Sequence, residues 1–149
     1  MKFLAPFVLL VLASLAMAGC GQSSTTPVTA TAASTSQPTN RVIVYYMHRT
    51  FRCMSCLWIE NATRETLKDA FPSELASGRL ELRVEDYWKR EDLAKQYDVD
   101  TVSIVVVNVV DGREVSHRTL DKVWSLKMKN DQFRPYVAKA VRAALNNSK

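Results

Sequence analysis

The stretch from Arg41 to Met47 (Arg-Val-Ile-Val-Tyr-Tyr-Met) is β-branched and aromatic and holds no breaker, so it reads as a strand buried on both faces. A short loop, His48 to Arg52, then leads into Cys53-Met54-Ser55-Cys56, which heads a helical pattern bounded by Pro72. A Cys-x-x-Cys pair at such a junction constrains the chain strongly. Its first sulfur falls at a helix N-terminus, where unpaired backbone N–H groups favour a thiolate. Two cysteines at this spacing close a small disulfide ring or share one metal ion.

From Cys53 to about Phe71 the apolar positions Leu57, Ala62, Leu67, Ala70 and Phe71 fit one face of a helix, and Ser73 to Gly78 holds one more turn. Arg79 to Asp86 alternates Leu80, Leu82 and Val84 against charged residues, the period of a strand. Lys89 to Tyr97 is a short amphipathic helix with Leu93, Ala94 and Tyr97 inward. Val102 to Val110 is the most strand-like run of the chain, and Asp111-Gly112 turns it into a returning strand, Glu114 to Thr119. After a connection holding Trp124, Asn130 or Asp131 caps a last helix that runs through Leu145. Pro135 stands near its first turn, and Phe133, Val137, Val141 and Leu145 are spaced four apart.

The amino terminus has another character. Lys2 precedes an almost wholly apolar stretch, Phe3 to Ala16, and Met17-Ala18-Gly19 places small residues before Cys20. The stretch is short for a spanning helix and reads as a cleaved export signal over residues 1–19. Its end resembles a bacterial lipoprotein lipobox, which implies cleavage before Cys20 and lipid on that cysteine. Gly21 is not the Asp that resembles an inner-membrane retention signal, so in a two-membrane cell the outer membrane is favoured. Gln22 to Asn40 carries no charge and no aromatic residue and cannot offset its ordering entropy by burial. Residues 20–40 are therefore expected to be a lipidated tether with a reach of roughly 25 Å, and 41–149 the folded domain.

With Cys20 lipidated, the three cysteines reduce to the Cys53/Cys56 pair. That excludes a structural disulfide framework and a four-sulfur zinc site. The pI near 9.2 does not reflect a basic cluster, because no run of Lys or Arg exceeds two. No nucleic-acid partner is expected, and the domain is expected to be a monomer. His117 lies on the returning strand and is expected to face solvent.

The order strand, Cys-x-x-Cys, helix, strand, helix, strand, hairpin strand, helix resembles the thioredoxin fold. The resemblance implies an α/β, thioredoxin-like three-layer sandwich: a mixed four-stranded sheet with helices on both faces. It further implies that Cys53 attacks and Cys56 resolves, Arg52 lowering the thiol pKa beside the helix start. In thioredoxins a buried acid stands six residues before the first cysteine, and here counting back reaches Met47. Two other residues are available to take the Cys56 proton: Glu60, at i+4 on the same helical face, and His48, an imidazole just before the pair. The family's cis-proline, which faces the cysteines, corresponds to Val102 here, and a trans Thr101–Val102 bond is expected. The resemblance implies that Arg52, Val102 and Trp58 border the place of a substrate chain. Of the apolar set Phe51, Trp58 and Tyr46, at least two are expected in the core.

Three readings follow. The first is a membrane-tethered, extracytoplasmic thiol–disulfide oxidoreductase, without cofactor, exchanging with protein thiols or disulfides and with a redox partner. The second is a soft-metal protein, Cu(I) foremost, with Cys53, Cys56, His48 and Met54 as ligands. The third is a non-catalytic binding module in which the pair only stabilises the fold.

Overall fold

The structure is a computed structural model and describes residues 37–148. The expected export signal, Cys20 and the tether up to residue 36 lie outside the described residues. The elements are β1 (Arg41–His48), α1 (Met54–Ala70), α2 (Pro72–Ala76), β2 (Leu80–Asp86), α3 (Glu91–Gln96), β3 (Ser103–Val110), β4 (Arg113–Thr119) and α4 (Asn130–Asn147). The four strands form one sheet in the order β2-β1-β3-β4. β1 and β2 are parallel, as a crossover through α1 requires, whereas β3 runs antiparallel to both β1 and β4. This is the mixed, thioredoxin-like α/β sandwich that the element order implies.

β1 is one of the two inner strands and is buried on both faces because each face has its own core. Val42, Val44 and Tyr46 join the apolar cluster built with α1 and α4. Ile43, Tyr45 and Met47 join a second cluster with Leu93 of α3, Tyr87, Tyr97 and Val99. The period-two alternation of a strand thus sorts adjacent residues to opposite layers. Phe133, Val137, Val141 and Leu145 of α4 are all buried in the first cluster, as their spacing predicts. Trp58 of α1 meets Phe133 edge-on with ring centroids 5.1 Å apart, tying the two helices together.

Some local expectations are corrected. The buried stripe of α1 runs through Cys56, Ile59, Ala62, Thr63, Thr66 and Leu67, which leaves Leu57 and Ala70 on the outer side. The rotation follows from burying Cys56: at about 100° per residue, its successor turns outward. Thr63 and Thr66 tolerate burial because their hydroxyls donate to the carbonyls of Ile59 and Ala62, at 2.7 and 2.6 Å. α3 begins at Glu91, since residues 87–89 form a turn closed by Lys89 and Arg90 N–H donation to the Asp86 carbonyl. α4 is entered through Lys129 with no side-chain cap, in place of a cap at Asn130 or Asp131.

The β3–β4 turn has positive φ at both Asp111 (50°) and Gly112 (75°), the two-residue geometry that suits a twisted hairpin. Its amides are satisfied from upstream: Gly112 N donates to the Thr39 carbonyl and Asp111 N to Asn40 Oδ1, each at 2.9 Å. Among the described residues no helix is long and apolar enough to cross a membrane.

Candidate redox site

Cys53 is the N-cap residue of α1, with extended backbone (φ −87°, ψ 163°), and its sulfur accepts from Cys56 N–H at 3.2 Å. The helix start therefore presents both its dipole and a backbone donor to this sulfur. Cys53 and Cys56 are joined in a disulfide with Cα atoms 5.0 Å apart, inside the usual range. The two sulfurs are unequal. Cys53 is exposed, whereas Cys56 is 4% exposed and packed in the α1/α4 core. The Cys53 sulfur at the helix start is thus open to approach from solvent, and that of Cys56 is not.

Counting back to Met47 finds the wrong face. Met47 is buried in the α3-side cluster, away from α1. The β1 residue beneath the pair is Tyr46, fully buried, whose hydroxyl donates to the Cys56 carbonyl at 2.6 Å. Burial pushes its phenol up to about 12, with the nearby Arg52 acting in the opposite direction. Tyr46 is thus a neutral donor and not a proton acceptor. In the sequence Tyr46 stands only among an apolar set expected in the core; the alternation of β1, read from the α1 face, is the signal for it.

Arg52 lies with its guanidinium carbon 5.7 Å from the centre of the Tyr46 ring and forms an ion pair with Glu60 Oε2. Glu60 Oε1 accepts from Arg64 at 2.9 Å, so both carboxylate oxygens are engaged. His48 ends β1 on the same face as Tyr46, with ring centroids 5.9 Å apart. Its Nδ1 is 2.7 Å from the Arg49 carbonyl oxygen. A carbonyl only accepts, so in the neutral ring Nδ1 carries the hydrogen and Nε2 keeps its lone pair.

The loop before Cys53 is stapled to the β2–α3 connection. Tyr87 N donates to the His48 carbonyl at 2.9 Å, Arg49 Nε to the Tyr87 hydroxyl at 2.7 Å, and Thr50 to Asp86 at 2.6 Å. The Thr50 hydroxyl holds the Asp86 carboxyl below its ordinary range. Around the disulfide, Phe51 (81% exposed), Met54 (79%) and Leu57 present apolar surface. Tyr46 is fully buried and Trp58 is half-buried against the same core, so two of the three aromatic candidates pack inward. Val102 is buried in the same cluster as Cys56, and every peptide bond of the described residues, Thr101–Val102 included, is trans. His117 is exposed on β4 beside Glu114 (3.1 Å), remote from the pair in the fold.

In the disulfide form neither sulfur offers a thiolate to a soft metal, and Met54 points to solvent. Among the described residues, no three His, Cys, Asp or Glu side chains converge at metal-binding distance.

No family model matches the chain, and no curated protein matches it. Among solved structures, a malarial protein is similar at 18% identity with a TM-score of 0.43, over 67% of this chain and 97% of that one. Fasciola hepatica thioredoxin is similar at 20% identity with a TM-score of 0.41, over 73% of this chain and 82% of its own. The fold assignment itself stands on strand order, strand direction and the placement of the Cys53–Cys56 pair.

Proposed function

We propose that the protein is a thiol–disulfide oxidoreductase that exchanges disulfides with other proteins outside the cytoplasm, held to a membrane through lipid on Cys20. The observation that carries the redox part is the asymmetric pair: an exposed, helix-capping Cys53 bonded to a buried Cys56. In the reducing direction, the Cys53 thiolate attacks one sulfur of a substrate disulfide. The new Cys53–substrate bond forms as the substrate S–S bond breaks and a substrate thiolate leaves. Cys56, deprotonated, then attacks the Cys53 sulfur. The Cys53–Cys56 bond forms and the second substrate sulfur leaves, so two electrons and two protons have passed from the pair to the substrate. Run backwards, the same steps oxidise a dithiol.

The proton of Cys56 needs an acceptor, and His48 is the favoured one: its Nε2 lone pair has no partner among the described residues, whereas both Glu60 oxygens are held in ion pairs. The apolar surface of Phe51, Met54 and Leu57 suits an extended, partly unfolded substrate segment. The membrane part of the proposal is supported by the sequence before residue 41 alone. Two experiments test the whole. Thiol counting across a series of glutathione ratios reads the redox couple, and a pair that does not titrate defeats the redox reading. Membrane fractionation of the Cys20→Ala variant reads the anchor, and unchanged membrane association defeats the lipid assignment.

A further inference from the structure

We propose that Tyr46 is a positioning residue of the cysteine pair: its hydroxyl pins the Cys56 backbone and so biases the thiol–disulfide equilibrium toward the closed ring. The inference rests on the oxidoreductase reading above and adds to it what sets the poise of the couple.

One side chain is touched from both ends of the reactive segment. Tyr46 donates to the Cys56 carbonyl at 2.6 Å, and Arg52, the neighbour of Cys53, lies over its ring at 5.7 Å while paired with Glu60. The ring stands on β1, an inner strand hydrogen-bonded on one side to β2 and on the other to β3, and it is wholly buried. It is therefore a fixed point, whereas the first turn of a helix is prone to fray. A carbonyl in that turn uses one lone pair on the helix's own amide four residues ahead and has a second free for the phenol.

Closing the ring costs the freedom of the residues that carry the two sulfurs. In the disulfide the pair is held by the S–S bond together with the Cys56 N–H to Cys53 Sγ contact at 3.2 Å, and reduction removes the cross-link. An anchor that holds Cys56 in place before the bond forms removes part of that cost, in the way that preorientation raises effective molarity. Loss of the anchor releases the dithiol more than the disulfide, which the S–S bond still restrains. The equilibrium dithiol plus glutathione disulfide to ring disulfide plus two glutathione thiols then shifts to the left.

The test is that equilibrium constant for the full-length chain and its Tyr46→Phe variant, which keeps the ring and removes the hydroxyl. We expect a drop of about fivefold, which at 29.6 mV per tenfold is a potential higher by ~20 mV. The melting temperatures of both redox forms, measured alongside, separate this from general loosening. If both forms lose equal stability and the constant stays within twofold of the parent, Tyr46 is merely structural and the proposal is overturned. A parent that does not equilibrate with glutathione at all overturns the oxidoreductase reading, and this assignment with it. Should Tyr46→Phe not fold, hydrogen exchange on the parent decides: the Cys56 and Leu57 amides must stay protected on reduction. A loss of protection beyond tenfold overturns the proposal.

Discussion

Replacing Glu60 by Gln separates two roles that this carboxylate can play. Glu60 lies two helical turns beyond Cys53, about 10 Å along the axis at 1.5 Å per residue. It also neutralises Arg52, the residue adjoining Cys53. A negative charge at that distance opposes the Cys53 thiolate by ~1.7 kcal/mol at an effective dielectric of ~20. Solvent over the exposed Cys53 and a screening length of ~8–10 Å reduce this to roughly half. Glu60→Gln should therefore lower the Cys53 thiol pKa by about 0.5–1 unit and free the Arg52 charge in the same direction. The assay is the pH dependence of iodoacetamide alkylation of Cys53, measured in a Cys56→Ser background with and without Glu60→Gln. At a pH well below the pKa the alkylation rate should rise about three- to tenfold. An unmoved or higher Cys53 pKa refutes the electrostatic argument. If instead the Cys53 titration is unchanged and resolution of the mixed disulfide slows a hundredfold in otherwise wild-type protein, Glu60 is the proton acceptor and not a clamp.

Cys56→Ser should accumulate covalent complexes with partner proteins through Cys53, while Cys53→Ser should accumulate few, as counted on non-reducing gels; equal trapping by both would contradict the assigned order of attack. His48→Ala should slow mixed-disulfide resolution by tenfold or more near neutral pH and leave the first attack unchanged; an unaffected resolution step would remove His48 from the mechanism. Phe133→Ala, emptying a fully buried site against Trp58, should cost ~3–5 kcal/mol in urea unfolding, a large share of a typical ~5–15 kcal/mol. In alkali, burial raises the phenols of Tyr46 and Tyr97 above their ordinary value, so the folded state binds these protons more tightly than the unfolded one. Their stabilisation is complete below pH 10 and is lost as pH rises through the folded values, about 12 for Tyr46. Urea midpoints should hold to pH 9 and fall beyond 10; a midpoint flat to pH 12 would contradict the burial argument.

The elements and their order were legible in the chain because they rest on local rules. Alternation marks β2, an unbroken β-branched run marks β1 and β3, and Asp111-Gly112 marks the hairpin, since both positions take positive φ. The four-residue spacing of Phe133, Val137, Val141 and Leu145 likewise identified the buried side of α4. The Cys53/Cys56 pair and its place at a helix start also followed from sequence, because a helix N-terminus is local geometry.

What the tertiary structure alone decided is which face each residue serves. A count of six back from Cys53 reaches Met47, but a strand turns adjacent side chains to opposite layers and the loop length sets the phase. The packed sheet puts Tyr46 under Cys56 and sends Met47 to the far core. The same holds for α1, where burying Cys56 turns Leu57 out beside the pair. The pairing of Arg52 with Glu60 over the Tyr46 ring joins a loop, a helix and a strand, and no spacing along one element encodes it. Sequence by itself determined that the chain carries a Cys-x-x-Cys pair at a strand–helix junction of a mixed α/β sheet. The packing of three layers decided that the pair rests on a neutral, buried phenol, because only the phase between strand and helix settles which side chain a sulfur meets.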